Sequence, residues 1–98
     1  MENLEESLMR VLDRVGSHVT QHSTKTIIED SASIKKVDDN NVEMNLDFNY
    51  THTIGIENER LGVDFLLNND EFFKDINSFK LIITDNQELK TLNYKIIF

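Results

Sequence analysis

Leu4, Leu8, Val11, Leu12, Val15 and Val19 follow one another at intervals of 4, 3, 1, 3 and 4 residues, the pattern of one apolar stripe on an α-helix. The spacing predicts a helix over residues 2–19. Glu2, Glu5 and Glu6 fall in its first turn, where the helix dipole favours negative charge; Arg10 is placed to pair with Glu6, and Arg14 sits one turn further on. Gly16 is the weak point, because glycine costs about 1 kcal/mol in a helix interior, and a stop near Val15 is the competing boundary. Residues 21–26 read as a linker.

The periodicity then changes. Residues 26–29 and 33–37 read as two short strands or one interrupted strand, and Asp38-Asp39-Asn40-Asn41 supplies side chains that favour a tight turn into the next strand. From there Val42, Met44, Leu46, Phe48, Tyr50, His52, Ile54 and Ile56 occupy the even positions, while Glu43, Asn45, Asp47, Asn49, Thr51, Thr53, Gly55 and Glu57 occupy the odd ones. A strand with one buried side is expected. At ~3.3 Å per residue a straight strand over residues 42–56 would span roughly 50 Å, too long for so small a domain. The chain must therefore bend or break, at Gly55 or around Tyr50-Thr51-His52.

Asn58-Glu59-Arg60 reads as a turn, after which Leu61, Val63, Phe65 and Leu67 resume the alternation and predict a hairpin partner strand. Asn69-Asp70-Glu71 resembles a helix start, with Phe72, Phe73 and Ile76 on one face of the short helix it opens. Residues 78–84 predict a strand, 85–87 a turn, and 88–98 a last strand burying Leu92, Tyr94, Ile96 and Phe98. Together these elements predict one α+β domain over residues 1–98. An N-terminal amphipathic helix packs on a curved, mainly antiparallel sheet of about four to six strands, and a short second helix precedes a C-terminal hairpin.

Composition narrows the chemistry. The chain has no cysteine, which removes disulfides, thiolate metal sites and cysteine nucleophiles. Its acidic start lacks the basic and apolar regions of a signal peptide, and no run approaches the ~18 apolar residues of a membrane span; a cytoplasmic setting is expected. Seven lysines against three arginines, no proline, and abundant Asn and Ile suit an A+T-rich genome, such as that of a low-G+C bacterium or its phage. The formal net charge of −8 argues against direct binding to nucleic acid or anionic lipid, both of which attract basic surfaces.

No constellation carries a catalytic, metal or phosphate signature, so no catalytic residue, metal or cofactor is expected. His18 and His22 share a helical spacing, but the intervening Val19-Thr20-Gln21 holds no glutamate of the kind a metallohydrolase uses as its general base. His52 falls on the side expected to be buried. Asp38-Asp39-Asn40-Asn41 and Asn68-Asn69-Asp70-Glu71 lack the ligand spacing of a calcium loop and read as turn and capping chemistry. Asn49-Tyr50-Thr51 matches a glycosylation acceptor by chance.

The regional charge is more informative. Between residues 42 and 67, Glu43, Asp47, Glu57, Glu59 and Asp64 stand against Arg60 alone, a net −4 that is half the total of −8. Glu43 and Asp47 share the outward side of the long strand with Asn45 and Asn49, which predicts an acidic, amide-rich sheet face. Glu43, Asn45, Asp47, Asn49, Glu57, Glu59 and Asp64 are thus the candidate partner-binding residues. They imply a non-enzymatic inhibitor or antitoxin-like protein acting on a basic partner, either a nucleic-acid-handling protein or a toxin. Two alternatives stand beside it: an assembly subunit that self-associates through an edge strand such as residues 88–98, and a small enzyme or ligand-binding cup near Tyr50 and His52.

Overall fold

The computed structural model describes residues 4–22, 24–52, 55–74 and 78–98. Its first element, α1 (Leu4–Val19), follows the predicted stripe except at its first member: Leu8, Val11, Leu12, Val15 and Val19 are all buried, whereas Leu4 is exposed. The helix runs through Gly16, which is buried where α1 packs closely against the sheet. A Cβ there would lie 2.8 Å from Ile27 Cδ1 and 3.6 Å from Leu46 Cδ2. Close packing thus offsets the helical cost of glycine. Glu2 and the rest of the first predicted turn lie outside the described residues.

A short 3-10 turn (Thr20–His22) precedes β1 (Lys25–Ile27), and these two elements take up most of the expected linker over residues 21–26. β1 and β2 (Ser33–Lys36) both pair antiparallel with one side of β3 (Val42–Tyr50), as one interrupted edge strand. The interruption is sealed locally. Ile28 N–H donates to Asp47 O at 2.9 Å, and the Ser31 hydroxyl accepts Asp47 N–H at 3.1 Å, so the backbone at the gap keeps its partners. Asp38 holds the β2–β3 turn, its carboxylate accepting from Asn40 N–H and Asn41 Nδ2, and these bonds hold its pKa below the ordinary value.

β3 ends at Tyr50, at the second of the two sites where a break was expected, and His52 is exposed rather than buried beyond it. Ile54 lies outside the described residues. The next segment differs from the expectation: Asn58-Glu59-Arg60 is not a turn and residues 61–67 are not a hairpin strand, since both lie within α2 (Ile56–Asn68). Val63 and Leu67, one turn apart, are fully buried, whereas Leu61 and Phe65 are exposed, a division that only a helical period produces. Gly55 is its N-cap and Glu57 and Glu59 occupy its first turn.

α3 (Glu71–Lys74) is the short helix expected, opened by Asp70, whose Oδ1 accepts Phe72 N–H at 2.8 Å. Ile76 falls outside the described residues. β4 (Lys80–Asn86) extends through the predicted turn at 85–86, and the chain reverses over residues 87–90 into β5 (Thr91–Ile97).

The open sheet runs β1-β3-β5-β4, with β2 beside β1 on β3, and every pairing is antiparallel. β5 therefore sits in the interior of the sheet and cannot be the pairing edge expected of residues 88–98. Met44, Leu46, Phe48, Tyr50, Leu92, Tyr94 and Ile96 form the inner face, on which α1 and α2 lie side by side. Each fully buried apolar side chain of this set contributes about 2 kcal/mol. Phe72, Phe73, Phe79 and Phe98 close one end through edge-to-face contacts at 5.2 to 5.7 Å.

Asp70 joins the two helical regions. Only 2% exposed, it is ion-paired with Arg14, with Arg10 4.0 Å away, while also capping α3. Asp70→Ala removes both the cap and the buried partner of the α1 cations, and is expected to cost about 3 kcal/mol in urea unfolding. Asp70→Asn, which keeps a capping oxygen, is expected to recover part of that loss.

Candidate functional site

The candidate residues fall into three separate environments. Glu43, Asn45, Asp47 and Asn49 do share the outward side of β3. The cross-strand neighbours set the charge there. Lys35, paired with Glu43 in the β2–β3 register, reaches its Oε2 at 3.2 Å, and Lys95 of β5 reaches Oε1 at 3.7 Å. Asn45 Nδ2 donates to Glu43 at 3.1 Å, and Asn93 Nδ2 donates to Asp47 Oδ1 at 2.7 Å. Outward strand positions thus carry Lys35, Lys80 and Lys95 against Glu43 and Asp47, a net +1. The sheet face is amide-rich, as expected, but it is not acidic. The hydrogen bond from Asn45, followed by the two lysines, holds the Glu43 pKa below its ordinary 4.5.

Glu59 lies on the opposite side of the sheet, inside the helix layer. Its Oε1 accepts from Lys25 Nζ at 2.8 Å, and its Oε2 accepts the Tyr94 hydroxyl at 2.8 Å. Lys25 is 7% exposed, at an inward position of β1 opposite Tyr50. A carboxylate, an ammonium and a phenol thereby satisfy one another where each alone would be costly to bury. Burial, with the bond to Glu59, pushes the Tyr94 phenol well above its ordinary 10. The cluster tethers α2 to β1 and β5, which makes Glu59 a positioning residue.

Glu57 and Asp64 belong to a third environment, the outer side of α2. The inward set of this helix is Ile56, Glu59, Val63 and Leu67, and Arg60 flanks it, donating from Nη1 to Leu81 O at 2.6 Å. At 100° per residue, Leu61 and Phe65 lie about 160° from Val63, directly away from the sheet. They are 67% and 72% exposed, one helical turn apart. Glu57 is exposed and Asp64 half-buried, and both flank this apolar pair on the helix surface. Strict alternation places Leu61 and Phe65 on one side of a strand with Val63 and Leu67, which hides this surface. The signal for it was present: Ile56, Glu59, Val63 and Leu66 recur at 3, 4 and 3 residues, and the adjacent Leu66 and Leu67 break strict alternation.

His18 and His52 do not converge. His18, on α1, packs against Gly62 of α2, where a Cβ would come within 2.8 Å of its Nε2, and His52 lies on the exposed loop after β3. Among the described residues no group of three or more His, Asp or Glu side chains is placed to hold a metal ion, and no helix is long and apolar enough to cross a membrane. No protein-family model matches the chain, and no curated protein or solved structure matches it either.

The Glu43 environment gives a direct check. A carboxylate with a lowered folded-state pKa adds stability above its ordinary pKa and loses it as pH falls through the folded value. Asn45→Ala removes the largest cause of the lowering, so the Glu43 side-chain NMR titration is expected to move up toward 4.5, and its contribution to be lost at a higher pH on acidification. An unchanged midpoint contradicts the assignment.

Proposed function

We propose that the protein is a cytoplasmic, non-enzymatic binding protein that neutralises a basic protein partner, in the manner of an inhibitor or antitoxin, by seating the outer face of α2 in an apolar groove with a basic rim. The observation that carries this reading is the Leu61–Phe65 pair. Two large apolar side chains one turn apart, both more than two-thirds exposed, give a helix the spacing of groove-binding anchors. Phe65 is the most exposed large apolar residue among those described. Glu57 and Asp64 beside them supply charge of one sign, and the net −8 of the chain adds a long-range field toward a basic surface.

This reading moves the weight of the seven candidate residues. Glu57 and Asp64 become contact residues. Glu59 sets the rotation of the helix, and the Glu43–Asn45–Asp47–Asn49 row contributes polar surface on a sheet face whose charges are largely balanced.

The test begins with capture from a host lysate on immobilised wild-type protein and on the Leu61→Ala/Phe65→Ala variant. Both side chains are largely exposed, so the variant is expected to keep its stability within about 0.5 kcal/mol. The partner is expected to be basic, to bind wild type, and to bind the variant at least about 10-fold more weakly, the loss of one anchor-sized contribution. With the purified partner, the Glu57→Lys/Asp64→Lys reversal and added salt are each expected to slow association. A partner that binds the apolar variant as tightly as wild type, at a rate indifferent to salt, contradicts the proposal.

A further inference from the structure

β4 is an edge strand of the open sheet, and hydrogen-bond parity shows which of its backbone groups turn away from the sheet. Val42 and Phe98 exchange both backbone bonds, at 2.7 and 3.1 Å, and Tyr50 N–H donates to Lys90 O at 3.0 Å. Even-numbered residues of β5 therefore bond to β3, which leaves its odd-numbered residues for β4. In the β4–β5 register those odd residues face Lys80, Ile82, Thr84 and Asn86. Leu81, Ile83 and Asp85 must then turn their backbone N–H and C=O groups away from the sheet. Among the described residues the one partner on that side is Arg60, which donates to Leu81 O.

This edge carries one of the usual guards, the inward-facing charge of Asp85 opposite Leu92, but lacks others. No proline occurs in the chain, β4 is as long as the interior strand β5, and the one lysine within it, Lys80, stands at its first position. The edge is also its own complement. With Ile83 facing Ile83 across a two-fold axis, Leu81 of one copy meets Asp85 of the other, Ile82 meets Thr84, and Lys80 meets Asn86. No two like charges are opposed, and the three outward-turned residues of each copy fall in hydrogen-bonded register, giving about six backbone bonds. Leu81 O retains a second lone pair beside the Arg60 bond.

We infer that β4 pairs antiparallel with β4 of a second copy of this chain, joining two sheets edge to edge. A contact between single edge strands lies at the low end of specific interfaces, below about 1,200 Å², so the expected dimer is weak, with a dissociation constant on the order of 100 µM. Two copies of net charge −8 repel, so added salt strengthens the dimer. Salt weakens the attachment to a basic partner proposed above. The two readings rest on different surfaces, and the sign of the salt effect separates them.

Sedimentation and amide hydrogen exchange of the full chain from ~10 µM to ~1 mM, at low and moderate salt, test the inference. The expected result is a monomer–dimer equilibrium that tightens with salt, with exchange at Leu81, Ile83 and Asp85 slowing about 4-fold between the two concentrations as the monomer fraction falls, while Ile82 and Thr84 are protected throughout. Thr84→Lys places a charge opposite Ile82 of the second copy and is expected to weaken dimerisation at least about 10-fold with an unchanged circular dichroism spectrum. Ile83→Pro removes a central donor that the monomer's own ladder does not use, and is expected to do the same. A chain that stays monomeric at ~1 mM in both salts overturns the inference. So does an association that leaves the Leu81, Ile83 and Asp85 amides unprotected, or that Thr84→Lys does not weaken.

Discussion

The carboxylate of Glu59 is the point around which the helix layer is organised. Lys25 and Tyr94 each hold one of its oxygens at 2.8 Å, and these three residues come from α2, β1 and β5. A buried charge tolerates only a narrow range of positions once its partners are fixed, because losing either bond leaves an unsatisfied group in a poorly solvated place. Apolar contacts through Val63 and Leu67 set the depth of α2 beneath the sheet, but such contacts tolerate rotation. The Glu59 bonds restrict it. With Glu59 turned inward, Leu61 and Phe65 can only point outward.

That rotation connects the fold to the proposed function. The acidic residues between positions 42 and 67 look like one group along the sequence, yet folding sorts them into members balanced on the sheet face, tethered within the helix layer and placed on the outer side of α2. Glu43 is matched by two lysines from neighbouring strands, Glu59 is consumed by the tether, and Glu57 and Asp64 remain beside an exposed apolar pair. Net charge provides attraction from a distance, whereas the outer face of α2 offers shape as well as charge.

How far the fold could be read in advance depended on whether the deciding contacts were local. The α1 stripe and the even-side burial of β3 follow from spacing alone, and both agree with the structure, as does the turn held by Asp38. Residues 61–67 were read as a strand because Leu61, Val63, Phe65 and Leu67 satisfy a period of two while Val63 and Leu67 also satisfy a period near four, and burial by tertiary contact decided between them. The sheet's charge was illegible for another reason. Lys35 and Lys95 lie 8 and 52 residues from Glu43, and only strand register brings them to it. The interior place of β5 is likewise a product of topology, since β4 follows a helical crossover and β5 folds back between β3 and β4.

The most direct measurement is a double-mutant cycle between Lys25 and Glu59, using Lys25→Met, Glu59→Gln and the pair, with unfolding free energies taken from urea titrations. If Glu59 holds α2 in place from inside, the two residues should couple by about 1–3 kcal/mol, so that the double change destabilises by that much less than the sum of the two single changes. A coupling indistinguishable from zero would mean that Glu59 faces solvent, and with it the outward placement of Leu61 and Phe65 would fail.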